Sequence, residues 1–358
     1  MNHYGVIMAG GGGTRFWPLS RQKTPKQLLN LSGKDLMVNE AVDRMATVIG
    51  KDNIFIVTAD VQAPAMVEAT KGKVLPKNIL AEPAARNTAA CIGYAAMEIV
   101  RKYGDGVMII TPADHYIKDV PALSEIFRKA ILIAEEQDKL VTIGLKPTFP
   151  STGFGYIKYD PAIDGAVKTV VEFKEKPDEE TAKAYIESGR YAWNSGMFIW
   201  KASLILKKLE KYTPDIYADL KTIGDAMNTP SEKDVLRDVY PNIRKISIDY
   251  AVMEPSAVKG DVLVIPGDCG WNDVGSWDMM AILHNPDENG NVCLGDVVAK
   301  DVKNSVIYSS SRMVTAVDVE NIVIVETSDA IMVCRKDKAQ EVKKIVDALN
   351  EAGRKDLL

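Results

Sequence analysis

Short apolar runs alternate with amphipathic segments over the first two hundred residues of the chain. The runs at 5–8, 54–58, 78–81, 107–111 and 140–144 are mostly apolar, rich in Val, Ile and Leu, and each reads as a buried strand. Between them, apolar positions recur at helical spacing over 36–48, 61–71, 88–103 and 120–137. Strand–helix alternation predicts an α/β fold, with a mostly parallel sheet covered by helices and ligands at the carboxyl ends of the strands. After about residue 145 the rhythm changes: 153–159, 167–173 and 197–200 read as strands, and 179–188, 202–211 and 214–227 as helices. From residue 289 short β-branched runs follow at 296–299, 305–308, 313–317, 322–326 and 330–335, then an amphipathic helix from 336 to about 351. The pattern predicts two units, residues 1–288 and 289–358, the second a small β unit whose evenly spaced strands suit a few β-helix coils.

The first strand runs directly into Gly10, Gly11, Gly12 and Gly13, with Thr14 and Arg15 next and Lys26 a little further on. Four adjacent glycines are entropically costly to order, which argues for a use. Without Cβ atoms such a backbone can close around a phosphate and turn its N–H groups inward, and Arg15 and Lys26 supply cations. A Walker A loop would end Gly-Lys-Ser/Thr, and this one ends Gly13-Thr14-Arg15. A dinucleotide fingerprint would put a glycine where Phe16 stands. Neither of the better-known loops fits.

Composition narrows the class. At 358 residues, 46% hydrophobic and 26% charged, the chain has the make-up of an ordinary soluble globular protein. A net charge of −5 with scattered basic residues gives no sign of nucleic-acid binding, so positive charge for an anionic ligand must be local. Cys91, Cys269, Cys293 and Cys334 form no Cys-x-x-Cys pair, and His3, His115 and His284 are too dispersed for a histidine metal site. No signal segment and no apolar run of membrane length is present, which suits the cytoplasm.

The glycine stretch from Ala9 to Arg15, with Trp17-Pro18-Leu19-Ser20 and Pro25-Lys26-Gln27, resembles the signature of the sugar-nucleotide pyrophosphorylases, most closely the mannose-1-phosphate guanylyltransferases. The resemblance extends through separate motifs over about residues 4 to 280. It implies a Rossmann-like nucleotide-diphospho-sugar transferase domain followed by a short left-handed β-helix that often makes a dimer contact. The cupin-type isomerase domain of longer members does not fit in this length.

Each further motif has a plain reading beside the functional one. The stretch Glu82-Pro83-Ala84-Ala85-Arg86-Asn87-Thr88 follows a strand and opens a helix, so Asn87 or Thr88 could simply be an N-cap. Guanine, however, offers N1–H and N2–H₂ on one edge, a donor pair that the Glu82 carboxylate could accept. The resemblance assigns Glu82, Arg86, Asn87 and Thr88 to nucleotide binding, with Gly10–Gly13 and Thr14. Asp114, in Pro112-Ala113-Asp114-His115, stands at a strand's carboxyl end, as a helix cap or as a ligand in the crevice. Magnesium prefers few carboxylates, with waters and phosphate oxygens. The resemblance makes Asp114 a Mg²⁺ ligand with Asp273 of Trp271-Asn272-Asp273-Val274-Gly275-Ser276-Trp277, and leaves His115 structural. Likewise it gives Gly155, Glu175, Lys176 and Asn194 to the sugar phosphate, Lys176 on the phosphate itself. Asp249 and Glu254 stay open, as sugar contacts, supporting groups or helix-end acids.

The reaction so implied joins GTP and α-D-mannose 1-phosphate into GDP-mannose and pyrophosphate, in a homodimer. A sugar monophosphate with a second pKa of about 6 is largely dianionic near neutrality and needs no general base. Catalysis then reduces to in-line positioning and charge neutralisation, with Arg15 and Lys26 on the departing pyrophosphate and Lys176 orienting the nucleophile. Two rivals stand beside it: a pyrophosphorylase for another nucleotide or sugar, and a non-catalytic sugar-nucleotide-binding paralogue. Loss of Lys26, Asp114, Lys176 or Asp273 would signal the second, and all four are present.

Overall fold

The protein is seen here as a computed structural model that describes residues 1–160 and 167–358. Up to residue 272 the strands are β1 (Asn2–Ala9), β2 (Ile54–Ala59), β3 (Ile79–Glu82), β4 (Gly106–Pro112), β5 (Tyr116–Ile117), β6 (Leu140–Leu145), β7 (Gly155–Tyr159), β8 (Lys168–Glu175), β9 (Tyr191–Lys201), β10 (Val262–Gly267) and β11 (Trp271–Asn272). Among the described residues, nine of these form one mixed sheet in the order β3-β2-β1-β4-β9-β6-β10-β8-β7. It is parallel from β3 to β4 and again at β6–β10, and antiparallel elsewhere.

Alternation along the strands fills both faces with apolar side chains. Val6, Phe55, Val57, Met108 and Ile110 pack on one face with the helices Asn87–Lys102, Ala202–Tyr212 and Pro214–Ala226. Ile7, Ile54, Ile56, Val107 and Ile109 pack on the other with Met37–Met45 and Val120–Glu136. The parallel strands β1, β3 and β4 therefore end side by side at one edge, and the glycine loop, Glu82 and Asp114 all leave from that edge.

Several elements differ from the sequence expectation. The apolar pattern predicts neither β10 nor the helix Glu232–Val239, and both are present. β9 starts at Tyr191, six residues before the expected strand at 197–200, so Asn194 lies inside a strand rather than in a turn leading to one. The plain reading of Asn87 or Thr88 as N-cap does not hold: Arg86 takes that place without a side-chain cap bond, Asn87 has a positive φ of 66° and its Oδ1 accepts from Thr88 N–H at 2.8 Å, and the Thr88 hydroxyl accepts from Ile248 N–H at 2.8 Å.

In the C-terminal unit β12 (Val292–Leu294), β14 (Val306–Ser309) and β16 (Ile322–Glu326) stack in parallel, as do β13 (Val297–Lys300) and β15 (Val314–Val317). Parallel strands joined by turns alone make β-helix-like coils. Asn304 and Asn321 occupy the corner with positive φ, and the Asn304 amide donates to Asn321 Oδ1 at 2.6 Å. β17 (Ile331–Arg335) runs antiparallel to β16 and ends the stack, and the helix Lys343–Glu351 follows. A third apolar core joins this unit to the signature loops: Val292, Val306, Val323 and Val325 are buried with Phe16, Trp17, Val274 and Trp277. Phe16 and Trp277 are in ring contact at 5.3 Å.

Candidate active site

The glycine loop is held by its carbonyls. Buried Gln27 donates to Ala9 O at 2.5 Å and to Gly11 O at 3.3 Å, Thr58 donates to Ala9 O at 3.1 Å, and Gln62 reaches Gly11 O at 3.4 Å. Gly13 O accepts from Ser20 Oγ at 2.8 Å and from Phe16 N–H at 2.9 Å. Among the described residues no partner takes the N–H groups of Gly11, Gly12 or Gly13. A loop whose carbonyls are tied down and whose N–H groups are free is preorganised to take an anion. Thr14 lies just after it, and exposed Arg15 places Nη1 3.4 Å from Gly275 O, against the Asp273 loop.

Lys26 is turned inward. Its ammonium is buried and donates to Asp114 O and Asp114 Oδ2, both at 2.9 Å, and to Asp273 O at 2.7 Å. Three N–H bonds are all an ammonium has, and here they tie the two aspartate loops together. The Tyr116–Ile117 and Trp271–Asn272 pairing of β5 with β11 brings the same loops side by side, and Trp271 Nε1–H donates to His115 Nδ1 at 3.0 Å. His115 is thus a packing and hydrogen-bonding residue. Burial pushes its ring down to about 4, so it is neutral at physiological pH. Burial also acts to raise Asp114, but the charge and hydrogen bond of Lys26 reverse this and hold its carboxyl below the usual value. Asp273 is pushed up by burial, with Lys26 and Arg15 opposing it only in part. Two hard carboxylates, at least one kept ionised, fit a magnesium ion that takes its other ligands from water and phosphate.

Gly155, Glu175 and Asn194 converge from three strands. Gly155 pairs with Glu175 across β7–β8, and Asn194 lies against Gly155, 3.4 Å from where a Cβ there would sit. Glu175 Oε2 lies where a Cβ at Gly155 would sit, so a side chain there would have to push the Glu175 carboxylate aside. Lys176, with φ of 46° and its side chain 64% exposed, lies 3.9 Å from Glu175 and is free to swing to a phosphate. Asp249 enters here: half-buried in a π-helical turn, it accepts from Asn194 Nδ2 at 2.7 Å. The sequence leaves its role open, and the contact makes it the group that orients Asn194.

At the end of β3 the Glu82 carboxyl is buried and takes a hydrogen bond from the hydroxyl of Tyr240, 158 residues away. Its Oε2 faces the glycine loop, 3.8 Å from the site of a Cβ on Gly10. Burial pushes Glu82 up to about 7, with the Tyr240 bond opposing. Arg86, Asn87 and Thr88 follow on the loop and first turn, Asn87 exposed. Tyr240 carries no motif of its own, and Asp249 is singled out in the sequence without its partner. Only their place in the fold gives the contacts away.

This geometry defines a class, and the comparisons agree with it. Residues 4–289 match the family model described as nucleotidyl transferase, and residues 295–349 that of the MannoseP isomerase/GMP-like β-helix domain. The chain belongs to the nucleotidyl transferase family. Among individual proteins, it is 42% identical over 356 residues to the xanthan biosynthesis protein XanB of Xanthomonas campestris, covering 98% of this chain and 74% of that one. It is 38% identical over 358 residues to the mannose-1-phosphate guanylyltransferase of Klebsiella pneumoniae, with the same 98% and 74% coverage. In three dimensions it superimposes on a Thermus thermophilus protein described as mannose-1-phosphate geranyltransferase, with a TM-score of 0.87 and 31% identity, over 98% of this chain and 100% of that one. Among the described residues no helix is long and apolar enough to cross a membrane.

Proposed function

We propose that this chain is a mannose-1-phosphate guanylyltransferase, making GDP-mannose and pyrophosphate from GTP and α-D-mannose 1-phosphate. The observation that carries the reading is one ammonium, Lys26, fastening Asp114 and Asp273 together beside a glycine loop with free N–H groups. Identity to the Klebsiella guanylyltransferase over 98% of the chain supports the choice of substrates.

In this reading an oxygen of the sugar phosphate attacks the α-phosphorus of GTP. A new P–O bond forms, the bond to the β-phosphate oxygen breaks, and pyrophosphate leaves with the electron pair. Asp114 and Asp273 would hold Mg²⁺, which when bound neutralises charge on the reacting phosphates. The chain does the rest by position. The N–H groups of Gly11–Gly13 and the Arg15 guanidinium cradle the β- and γ-phosphates, Lys176 orients the attacking phosphate, and Gly155, Glu175 and Asn194 grip the hexose. Glu82 accepts from the guanine edge. Lys26 acts through the two aspartates as a positioning residue.

The homodimer follows as part of the proposal. Val298, Met313, Val317, Ile331 and Val333 of the C-terminal unit are large, apolar and more than half exposed, which suits contact with a second copy. A nucleoside triphosphate substrate and four free cysteines fit the cytoplasm.

The test is product identification. Purified protein with GTP, mannose 1-phosphate and Mg²⁺ should yield GDP-mannose by mass spectrometry, and a chelator should abolish it. Asp114→Asn and Asp273→Asn should each lower kcat by about 10²–10³-fold. Wild-type protein that forms no sugar nucleotide would refute the proposal.

A further inference from the structure

We infer that Tyr240 is a specificity-determining residue, whose hydroxyl keeps the Glu82 carboxylate ionised and oriented to accept from the guanine edge. The inference rests on the reading above that Glu82 faces the base. Nothing in the comparisons assigns Tyr240 a role.

The geometry is that of a buried acid with a single custodian. Glu82 ends β3 at the glycine-loop edge of the sheet and is 7% exposed. Among the described residues it is in no ion pair, and its side chain takes one hydrogen bond, from Tyr240 to Oε1. Oε2 is left facing the backbone at Gly10. Tyr240 itself is completely buried, follows the helix Glu232–Val239, and is fixed edge-on against Tyr94 with ring centroids 5.8 Å apart. It has no route to substrate except through Glu82.

A carboxylate taken out of water without a cation stays charged only as far as its hydrogen bonds favour the charged form. The Tyr240 hydroxyl supplies that bond and fixes the carboxyl plane. Ionised, Glu82 offers acceptors to both N1–H and N2–H₂ of guanine. Protonated, it loses one of them to its own O–H and pairs poorly with that edge. The other titratable groups facing Glu82 are Cys91 and Tyr94, on the helix packed beneath it. Burial pushes both upward, so they remain neutral and do not confuse the titration. Burial of Glu82 itself leaves it near 7, where the one bond it takes decides its charge.

Tyr240→Phe removes one oxygen and nothing else. KM for GTP should rise about ten-fold near pH 7, the effect of losing one hydrogen bond to a charged group, while kcat stays within about two-fold. The defect should shrink as the pH is raised to about 9 and Glu82 ionises without help. A purely structural role would leave the pH profile unmoved. The readout is steady-state pyrophosphate release with GTP and with ITP, which lacks the 2-amino group, for wild type, Tyr240→Phe and Glu82→Gln.

Failure of the two readings is distinguishable. If Glu82→Gln leaves the GTP-to-ITP preference unchanged, Glu82 does not read the base and the inference falls with that reading. If Glu82→Gln erases the preference but Tyr240→Phe tracks wild type across pH, base reading stands and the Tyr240 inference is overturned. Should Tyr240→Phe melt too low to assay, 3-fluorotyrosine placed at position 240 decides, since its hydroxyl is a stronger donor. A lower KM for GTP near pH 7 than in wild type supports the inference, and an unchanged KM overturns it.

Discussion

Gly13→Ala adds one methyl group at the point where the glycine loop meets Lys26, and the structure says what that methyl would do. Gly13 has φ of 58°, in the left-handed region where a Cβ costs roughly 1–2 kcal/mol. The new Cβ would lie only 3.0 Å from the Lys26 backbone nitrogen and 3.1 Å from its Cα, with the Lys26 side chain closer still. Backbone cannot rotate aside as a side chain can, so overpacking adds about 1–3 kcal/mol more. The expected loss of stability is therefore about 2–5 kcal/mol. Activity should suffer more than stability. Among the described residues, Lys26 is the link between the Asp114 carboxylate and the Asp273 carbonyl. A shift of about 1 Å in positioned catalytic groups can cost about 10²-fold in rate. The comparison is Gly12→Ala, whose Cβ would meet only Thr14 Cγ2, at an ordinary 3.7 Å. Thermal melting and pyrophosphate release, measured on both variants, give the assay. Gly13→Ala should melt well below wild type and turn over about 100-fold more slowly, while Gly12→Ala melts with wild type. Equal melting of the two variants, or near-normal turnover by Gly13→Ala, would refute the reasoning.

Three more predictions follow from single contacts. Lys26→Met should lower kcat by about 10²-fold and raise the Mg²⁺ concentration needed for half-maximal rate; an unchanged Mg²⁺ dependence with only a raised KM for GTP would mean that Lys26 grips phosphate directly. Asp249→Ala removes the acceptor that orients Asn194, so KM for mannose 1-phosphate should rise about ten-fold with KM for GTP unaltered. Glu326 accepts from Ser310 N–H, Ser311 N–H, Ser311 Oγ and Arg312, and these bonds overcome its burial to hold it at about 2. A depressed acid stabilises the fold fully above its unfolded value of 4.5 and loses that contribution as pH falls through the window down to about 2. Glu326→Gln should therefore lower stability at neutral pH and flatten the acid limb of a melting-temperature-against-pH curve.

What is legible in the sequence is local. Gly5–Ala9 reads as a strand because five small or apolar residues precede a run that only glycine can make, and the loop, Asp114 and Glu82 follow strand ends by position alone. Asp114 and Asp273 are readable as two motifs, but not the clamp between them, because Lys26 reaches 88 residues to Asp114 and 247 to Asp273. Tyr240 and Asp249 are invisible as partners for the same reason: a phenol 158 residues from its carboxylate leaves no spacing to read. Asn194 reads as a turn residue because its Trp-Asn-Ser-Gly context looks like a turn. The strand runs through it, with the register against β6 shifting between Thr142 and Gly144 to accommodate the change. β10 is a missed signal rather than an absent one, since Val262, Leu263, Val264 and Ile265 are followed by Pro266 and Gly267.

The most direct test of guanylyl transfer is pyrophosphate release by the purified protein with Mg²⁺ and mannose 1-phosphate, comparing GTP with ATP, UTP, CTP and dTTP. Rapid release with GTP, and release with the others slower by about 10² or more, is the predicted result. Equal rates with all five, or none with GTP, would contradict it.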